Sequence, residues 1–339
     1  MLPLAKGSTY FKRIKMLHLN KLQYNPLNIV ELSNSLSLNA LKQNEDYEKL
    51  CLDFQTKYKR KMLKTFSFSK EGFLGLFLEL DANIAISRGE SQAVIEAGLL
   101  YEKLGFTITW LELNRDGGVN LSNLNDIDFI FISSYVMDTF VKTDLKEIKK
   151  RVDAKIISNA SAHYHQCSDA LYFDSYKLTG FALSGVLLFD DEMFELISIG
   201  FMDTITLKLS LDALKMQSFN TTLKAKFLEE LKRIFKEDLY FFVSPDSTLE
   251  YSLHFGLKGI KAREFIRTLA LSKLFITNGE GCSLGLAKPS RVIQAMGYSE
   301  EQSRNSIELS FVDEMSDKEI ESAVKTMHLK YIQLLSFSE

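Results

Sequence analysis

The sequence has few cysteines, little net charge and no long apolar run. Its three cysteines, Cys51, Cys167 and Cys282, are an odd number without the spacing of a disulfide framework, which is typical of a reducing compartment. A net charge of -3 gives no electrostatic bias toward nucleic acid or anionic membranes. No stretch approaches the roughly 18 apolar residues of a membrane helix, and the N-terminus lacks the apolar segment of a standard secretion signal. We therefore expect a cytoplasmic protein with neither a nucleic-acid nor a membrane partner.

Short apolar segments alternate with amphipathic ones between about residues 90 and 190. The segment QAVIEAGLLYEKLG has helical periodicity and ends at Gly105, and the apolar run FTITWLEL follows it. Further short runs rich in Ile, Phe, Val and Leu lie at 128–135, 155–160, 170–175 and 184–190. Short apolar strands separated by helices are typical of a mostly parallel sheet covered on both faces, so we predict the α/β class.

The pattern changes after about residue 205. Longer helical segments occur at 223–238 and 260–273, together with alternating strands, and a final helix is predicted after Ser316, whose capping partner would be Glu319. The first residues are polar and poorly periodic, with a helix predicted only for 45–64. Because 339 residues exceed the usual size of one domain, we predict three parts: an N-terminal helical or irregular segment (1–65), a large α/β domain (66–205) and a small α+β domain (206–339).

The stretch NGEGCSLGLAKPSRVIQAMG, residues 278–297, places a cysteine where a packing role is unexpected. Cys282 has glycines at 279, 281 and 285 around it and little to pack against. Pro289 suits the first turn of a following helix, and Gly297 suits the position just after its end. The pattern indicates a thiol that is presented by a loop.

This stretch resembles the loop S-G-S-A-C-S-S-G and the following E-P-S-x-V-L-x-A-M-G of the cysteine desulfurases, in the class V aminotransferase group of pyridoxal phosphate (PLP) enzymes. The segment YFDSYKLTGFALSGVLLF resembles the family's S-x-S-x-H-K-x-x-G-P-K-G-x-G-x-L-Y, and ESQAVIEA resembles E-H-P-A-V-L-E-A. The resemblance covers most of residues 85–335 at low identity. It implies a fold-type I PLP-transferase-like architecture, a mostly parallel large domain with a smaller α+β C-terminal domain, and a homodimer.

The resemblance also implies an activity. Lys177 would be the lysine that carries PLP, and Cys282 would be the thiolate that takes sulfur from L-cysteine as a persulfide, with release of alanine. The sulfur would pass to an acceptor protein, for iron-sulfur cluster assembly or a tRNA pathway. The family's cofactor contacts fall on Lys177, Asn159, Ser69, Ser175 and Thr204.

Several positions depart from the family pattern, and three of them bear directly on cofactor and substrate binding. Ser91 replaces the histidine that stacks on the PLP ring, and Asn159 replaces the aspartate that holds the pyridine nitrogen. Glu308 replaces the arginine that pairs with the substrate carboxylate, and a carboxylate there would repel that group. Two alternatives follow: an inactive or weak family member that acts as a sulfur carrier or interaction protein, and a PLP-dependent aminotransferase or lyase with another substrate.

Non-functional interpretations exist for each of these residues. A lysine at the head of a predicted strand is usually a solvated surface residue, and a loop cysteine is usually incidental. The H-x-H-x-C pattern at 163–167 would face one side of a strand and could bind zinc, but no fourth ligand is evident, so we predict no metal. The basic run at 57–64 is better explained as a solvated helix face than as a nucleic-acid contact.

Overall fold

The computed structural model describes residues 16–27, 30–32, 45–182, 184–194, 202–280 and 288–336. In chain order the described strands are β1 (Leu17–His18), β2 (Met62–Phe66), β3 (Ile84–Ser87), β4 (Ile108–Leu111), β5 (Phe129–Phe131), β6 (Lys155–Asn159), β7 (Ala170–Phe173), β8 (Gly185–Phe189), β9 (Leu239–Tyr240), β10 (Ser252–Leu257), β11 (Leu274–Phe275) and β12 (Ser306–Ser310).

The described α-helices are α1 (Glu45–Tyr58), α2 (Lys70–Leu80), α3 (Gln92–Lys103), α4 (Leu145–Arg151), α5 (Ser175–Thr179), α6 (Thr204–Met216), α7 (Leu223–Phe235), α8 (Ala262–Leu271), α9 (Arg291–Ala295), α10 (Glu300–Ser303) and α11 (Asp317–Ser336). Short 3₁₀ turns lie at Asp191–Phe194, Lys236–Asp238 and Pro245–Ser247. In the part of the chain described, none of the helices has the length and apolar character needed to cross a bilayer.

A seven-stranded sheet forms the centre of the chain, in the order β2-β8-β7-β6-β5-β3-β4. The neighbours from β4 to β7 pair in parallel, whereas β8 runs antiparallel to both β7 and β2. Every residue of β3, β7 and β8 is buried, which explains why these strands are continuous apolar runs. The predicted mostly parallel α/β sheet is confirmed.

Helices cover both faces of this sheet. On one face α2 and α3 bury Phe73, Phe77 and Val94 against it. On the other face α1 and α6 bury Phe54 and Leu207, and α4 adds a further cluster beside them. The sheet is therefore the middle layer of three, and the carboxyl ends of its parallel strands lie at one edge.

A second, antiparallel sheet has the order β12-β10-β9 and packs against α7, α8 and α11. The final helix begins as predicted, because the Ser316 and Glu319 side chains each contact the backbone N–H of the other residue. The buried residues of that helix include Ile320, Val324 and Tyr331. The three domain boundaries themselves stay predictions.

Three local predictions were wrong. The helix predicted for 45–64 ends at Tyr58, and residues from Met62 onward form β2 because they pair with β8 in the large sheet. Lys177 lies in the short helix α5, not at the head of a strand. Pro289 precedes the N-cap Ser290 and so lies outside the following helix, while Gly297 has a φ of 85° just after its end, as predicted.

Candidate functional site

Lys177 is positioned by a sharp strand-to-helix connection. Strand β7 ends at Phe173. The next side chain, Asp174, is the N-cap of α5 and accepts hydrogen bonds from the backbone N–H groups of Tyr176 and Lys177. Gly180, with a φ of 80°, ends the helix after 5 residues. One helical turn is thus fixed at both ends, directly after the carboxyl end of a buried strand, and it carries the lysine.

The Lys177 amine forms a buried ion pair with Glu280. Its Nζ lies 2.8 Å from Glu280 Oε1, and the two side chains are only 7% and 10% exposed. Burial alone lowers the pKa of Lys177, but the carboxylates of Glu280 and Asp174 outweigh that effect and raise it above its ordinary value. The amine is therefore held as an ammonium in this arrangement.

The Glu280 carboxylate also serves the first turn of α3. Its Oε2 accepts the backbone N–H of Gln92 at 2.8 Å, while the N-cap residue Ser91 makes no side-chain cap. The first N–H groups of a helix have no partner within the helix and carry the positive end of its dipole. Glu280 therefore bridges the N-terminus of α3 and the Lys177 ammonium with one carboxylate.

Asp138 fixes the backbone just before the segment 281–287, which contains Cys282. Its Oδ1 accepts the backbone N–H of Glu280 at 2.8 Å, and its Oδ2 accepts the Ser290 hydroxyl at 2.8 Å. Burial raises the pKa of Asp138, and the neighbouring Glu280 raises it further. This one side chain therefore holds positions 280 and 290, on both sides of the segment 281–287.

The partly buried guanidinium of Arg291 anchors the same region to the sheet edge. Arg291 donates to the backbone carbonyls of Arg88 and Glu90, and its Nε donates to the side chain of Gln92 at 3.0 Å. These contacts join α9 to the connection between β3 and α3. The start of α3 is consequently held by two long-range partners, Glu280 and Arg291.

A cavity of about 510 Å³ opens beside the ion pair. The first turns of α2, α3 and α5 converge on it, and its lining contains Phe68, Ser69, Lys70, Glu71, Gln92, Ala93, Glu96, Asp174, Tyr176, Lys177, Ala182 and Glu280. Ser69 is the N-cap of α2 and accepts the backbone N–H of Gly72. The structure thus brings two predicted site residues, Ser69 and Lys177, to one cavity.

Asn159 ends β6 in a buried polar network. Its Oδ1 accepts the backbone N–H of Ser161 at 2.8 Å and the Tyr135 hydroxyl at 3.3 Å. Its Nδ2 is buried and has no hydrogen-bond partner among the described residues. An unused buried N–H is costly, so this amide can supply a donor to a hydrogen-bond acceptor.

The other predicted site residues lie elsewhere. Ser175 is buried, and its hydroxyl is already bonded to the Ser184 carbonyl at 2.5 Å and the Ser210 hydroxyl at 3.0 Å. Thr204 is buried as the first residue of α6. Neither is among the residues that line the cavity. Cys282 lies outside the described residues, so its predicted position is untested.

Glu308 lies in β12 as a buried side chain whose oxygens make no hydrogen bond of ordinary geometry within the described chain. Burial raises its pKa well above the usual range, although Gln23 beside it offsets part of this rise. The neutral acid is therefore favoured. The predicted repulsion of a substrate carboxylate stays a prediction, and it requires the ionised side chain that burial disfavours.

The two histidines of the H-x-H-x-C pattern make local hydrogen bonds. Among the described residues, no group of three histidine, cysteine, aspartate or glutamate side chains is arranged to hold a metal ion. The His163 ring instead lies 2.8 Å from the Ser134 hydroxyl, and His165 accepts the backbone N–H of Cys167 at 3.2 Å. These side chains satisfy local backbone and hydroxyl groups.

The sequence interpretation missed the importance of Glu280. The residue lies in the stretch NGEGC, in which the glycines and the cysteine are the more conspicuous features. The acidic side chain itself was a signal. If an acidic residue in a glycine-rich, mostly uncharged segment is buried, it needs a cationic partner. The sequence could not show which of the 41 lysines and arginines that partner is.

Three solved structures show the same fold. A NifS-like protein matches with a TM-score of 0.72 and 12% identity, over 95% of this chain and all of its own. A cysteine desulfurase from Thermococcus onnurineus NA1, in apo form, matches with a TM-score of 0.66 and 13% identity, over 94% of this chain and 95% of its own.

SspA in complex with cysteine matches with a TM-score of 0.63 and 14% identity, over 88% of this chain and 99% of its own. No protein-family model and no curated protein matches the sequence. The chain therefore has a divergent NifS-like fold, as the sequence resemblance predicted.

Proposed function

We propose that this chain is a sulfur-transfer protein of the cysteine desulfurase type, in which Lys177 carries PLP and Cys282 accepts sulfur from L-cysteine. One observation supports this most strongly: the buried Lys177 amine lines a cavity and contacts Glu280, two residues before Cys282. Two residues of extended chain span at most about 7 Å. This short separation supports the proposal that positions 177 and 282 serve one site.

Two residues of the cavity lining fit the cofactor: Lys177 offers a buried amine, and Ser69 at the N-terminus of α2 offers an anion site for a phosphate. Asn159, which is not among the lining residues, offers an unused amide N–H that would suit a ring nitrogen. PLP supplies an electron sink that weakens bonds at the carbon next to a bound amino group. An amide supplies no negative charge to keep the ring nitrogen protonated, so we expect a weaker sink than an aspartate would give.

The chain's own residues divide the remaining tasks. Lys177 would bind the cofactor covalently when its amine is unprotonated. Asp174 orients the turn that carries Lys177, and Asp138 holds the backbone that precedes the segment containing Cys282. Cys282 takes sulfur as a persulfide and passes it to an acceptor protein, with alanine as the other product. L-Cysteine, the acceptor protein and a homodimer are parts of this proposal.

The direct test is alanine release from L-cysteine by protein incubated with PLP. We expect the reaction in the wild type, its loss in Lys177→Ala, and its loss in Cys282→Ser with cofactor absorbance retained. Cys51→Ser is the matched control and should behave as the wild type. Equal alanine release by Cys282→Ser would reject Cys282 as the sulfur acceptor.

A second function is favoured by the charge of the cavity. Its lining has four carboxyl groups, on Glu71, Glu96, Asp174 and Glu280, against two lysines, Lys70 and Lys177. This balance opposes binding of a phosphorylated cofactor. In this alternative the chain carries persulfide on Cys282 without PLP, which mass spectrometry would detect after incubation with an active desulfurase and L-cysteine.

A further inference from the structure

The Lys177–Glu280 pair is more than a buried ion pair, because both partners line the cavity in which Lys177 would react. An ammonium is not a nucleophile. Lys177 must lose a proton to solvent before its nitrogen can bond to an aldehyde carbon, after which the carbonyl oxygen leaves as water and a C=N bond remains. Any group that stabilises the ammonium delays this step.

We propose that Glu280 is a positioning residue that holds Lys177 protonated and unreactive, so that its side chain must turn away before Lys177 can bond to an aldehyde. This inference rests on the proposed function only for the identity of that aldehyde. It depends on the 2.8 Å contact, on the shared cavity and on the second contact to the N-terminus of α3.

The charged groups facing Lys177 explain why Glu280 dominates. Asp174 lies on its own turn but its Oδ1 accepts two backbone N–H groups, and Asp138 is occupied by the Glu280 backbone and the Ser290 hydroxyl. Glu308 faces it from β12 with burial favouring the neutral acid. Glu280 is the carboxylate that forms an ion pair with Lys177 within the described chain.

Two contacts other than the ion pair fix the position of Glu280. Its backbone N–H is held by Asp138, and its Oε2 accepts the Gln92 N–H. A side-chain rotation that breaks the Lys177 contact therefore leaves the backbone in place and exposes the first N–H of α3. The freed end of a 12-residue helix would then attract an anionic group of a ligand.

The test measures reductive methylation of individual lysines by formaldehyde and cyanoborohydride, quantified by peptide mass spectrometry between pH 6 and 10. Formaldehyde needs no cofactor site, so the result is independent of PLP binding. We expect Glu280→Gln to raise the methylation rate of Lys177 about tenfold at pH 8 and to move its pH midpoint down by about one unit. Glu71→Gln, which removes another carboxylate from the same cavity, should leave Lys177 as unreactive as in the wild type.

Two further measurements keep the outcome decisive. Lys149, which is bonded to Asp169, should keep its wild-type rate in every variant if the fold is retained. Glu280→Ala should match or exceed Glu280→Gln. An unchanged rate in Glu280→Gln, or a gain in Glu280→Ala alone, would overturn the proposal, because steric cover would then explain the protection. Failure of PLP to bind either variant while Lys177 still gains reactivity would count against the proposed function only.

Discussion

His254 and Glu308 face each other across strands β10 and β12, and both are almost completely buried. Directly opposed residues of an antiparallel pair point to the same face of the sheet. No side-chain N or O atom of either residue makes a hydrogen bond of ordinary geometry within the described chain, although Gln23 lies beside Glu308. The two side chains therefore form a buried polar pair on the β12-β10-β9 sheet, and burial favours the neutral state of each.

The first prediction concerns acid stability. Burial lowers the pKa of His254 to about 3. Because the folded pKa lies below the unfolded value of about 6.5, the folded state keeps full stability above pH 6.5 and loses it as pH falls toward 3. The free energy of unfolding should fall with pH in this window by up to about 1.4 kcal/mol per pH unit because of His254, and His254→Phe should lack this contribution. Urea unfolding at pH 7, 6 and 5 measures it.

His328→Gln is the matched control, since His328 is a half-buried residue on α11. The change of slope in His254→Phe is taken as its difference from this control. A slope unchanged in His254→Phe would show that His254 is charged or hydrated in solution.

The second prediction concerns the buried ion pair. Lys177→Met leaves Glu280 buried without its counterion, and breaking such a pair costs about 3 to 5 kcal/mol. Glu280→Leu should also be destabilising. The double variant should lose at least about 1 kcal/mol less than the sum of the two single losses, because it leaves neither charge unpaired. A strictly additive cycle in denaturant unfolding would contradict the ion pair.

The third prediction concerns Gly279, which has a φ of 111°. A Cβ there would overlap the Asp138 carboxylate, the group that holds the Glu280 backbone. Gly279→Ala should therefore cost about 3 kcal/mol, from left-handed backbone strain together with the displaced carboxylate. It should also raise the methylation rate of Lys177.

Gly105→Ala separates the cost of left-handed backbone strain from the cost of displacing the Asp138 carboxylate. Gly105 has a φ of 95° with no atom near the position of a Cβ, so its substitution should cost only about 1 kcal/mol. Equal losses for the two variants in thermal or urea unfolding would show that the Asp138 contact adds nothing.

The sequence predicted the central sheet well because its strands are buried on both faces. The runs at Lys155–Asn159, Ala170–Phe173 and Gly185–Phe189 are short and apolar, and such patterns depend on local residues alone. The predicted helix after Gln92 was confirmed for the same reason, with Gly105 just beyond its end.

What the sequence did not predict depends on distant partners. Strand β2 continues a charged segment that is compatible with a helix, and only its pairing with β8 makes it a strand. Helix α5 has 5 residues, too few to show a helical period, so its lysine was assigned to a strand. The Lys177–Glu280 contact joins residues 103 positions apart, and neither residue's immediate neighbours indicate the other.

The central claim is that Lys177 is the residue that carries the cofactor. It is tested by incubating the wild type and Glu280→Gln with PLP, reducing with borohydride and locating the phosphopyridoxyl group on peptides. The account predicts a modification at Lys177 in both proteins, reaching half its maximum at a lower pH in Glu280→Gln. Modification confined to exposed lysines in both proteins would contradict it.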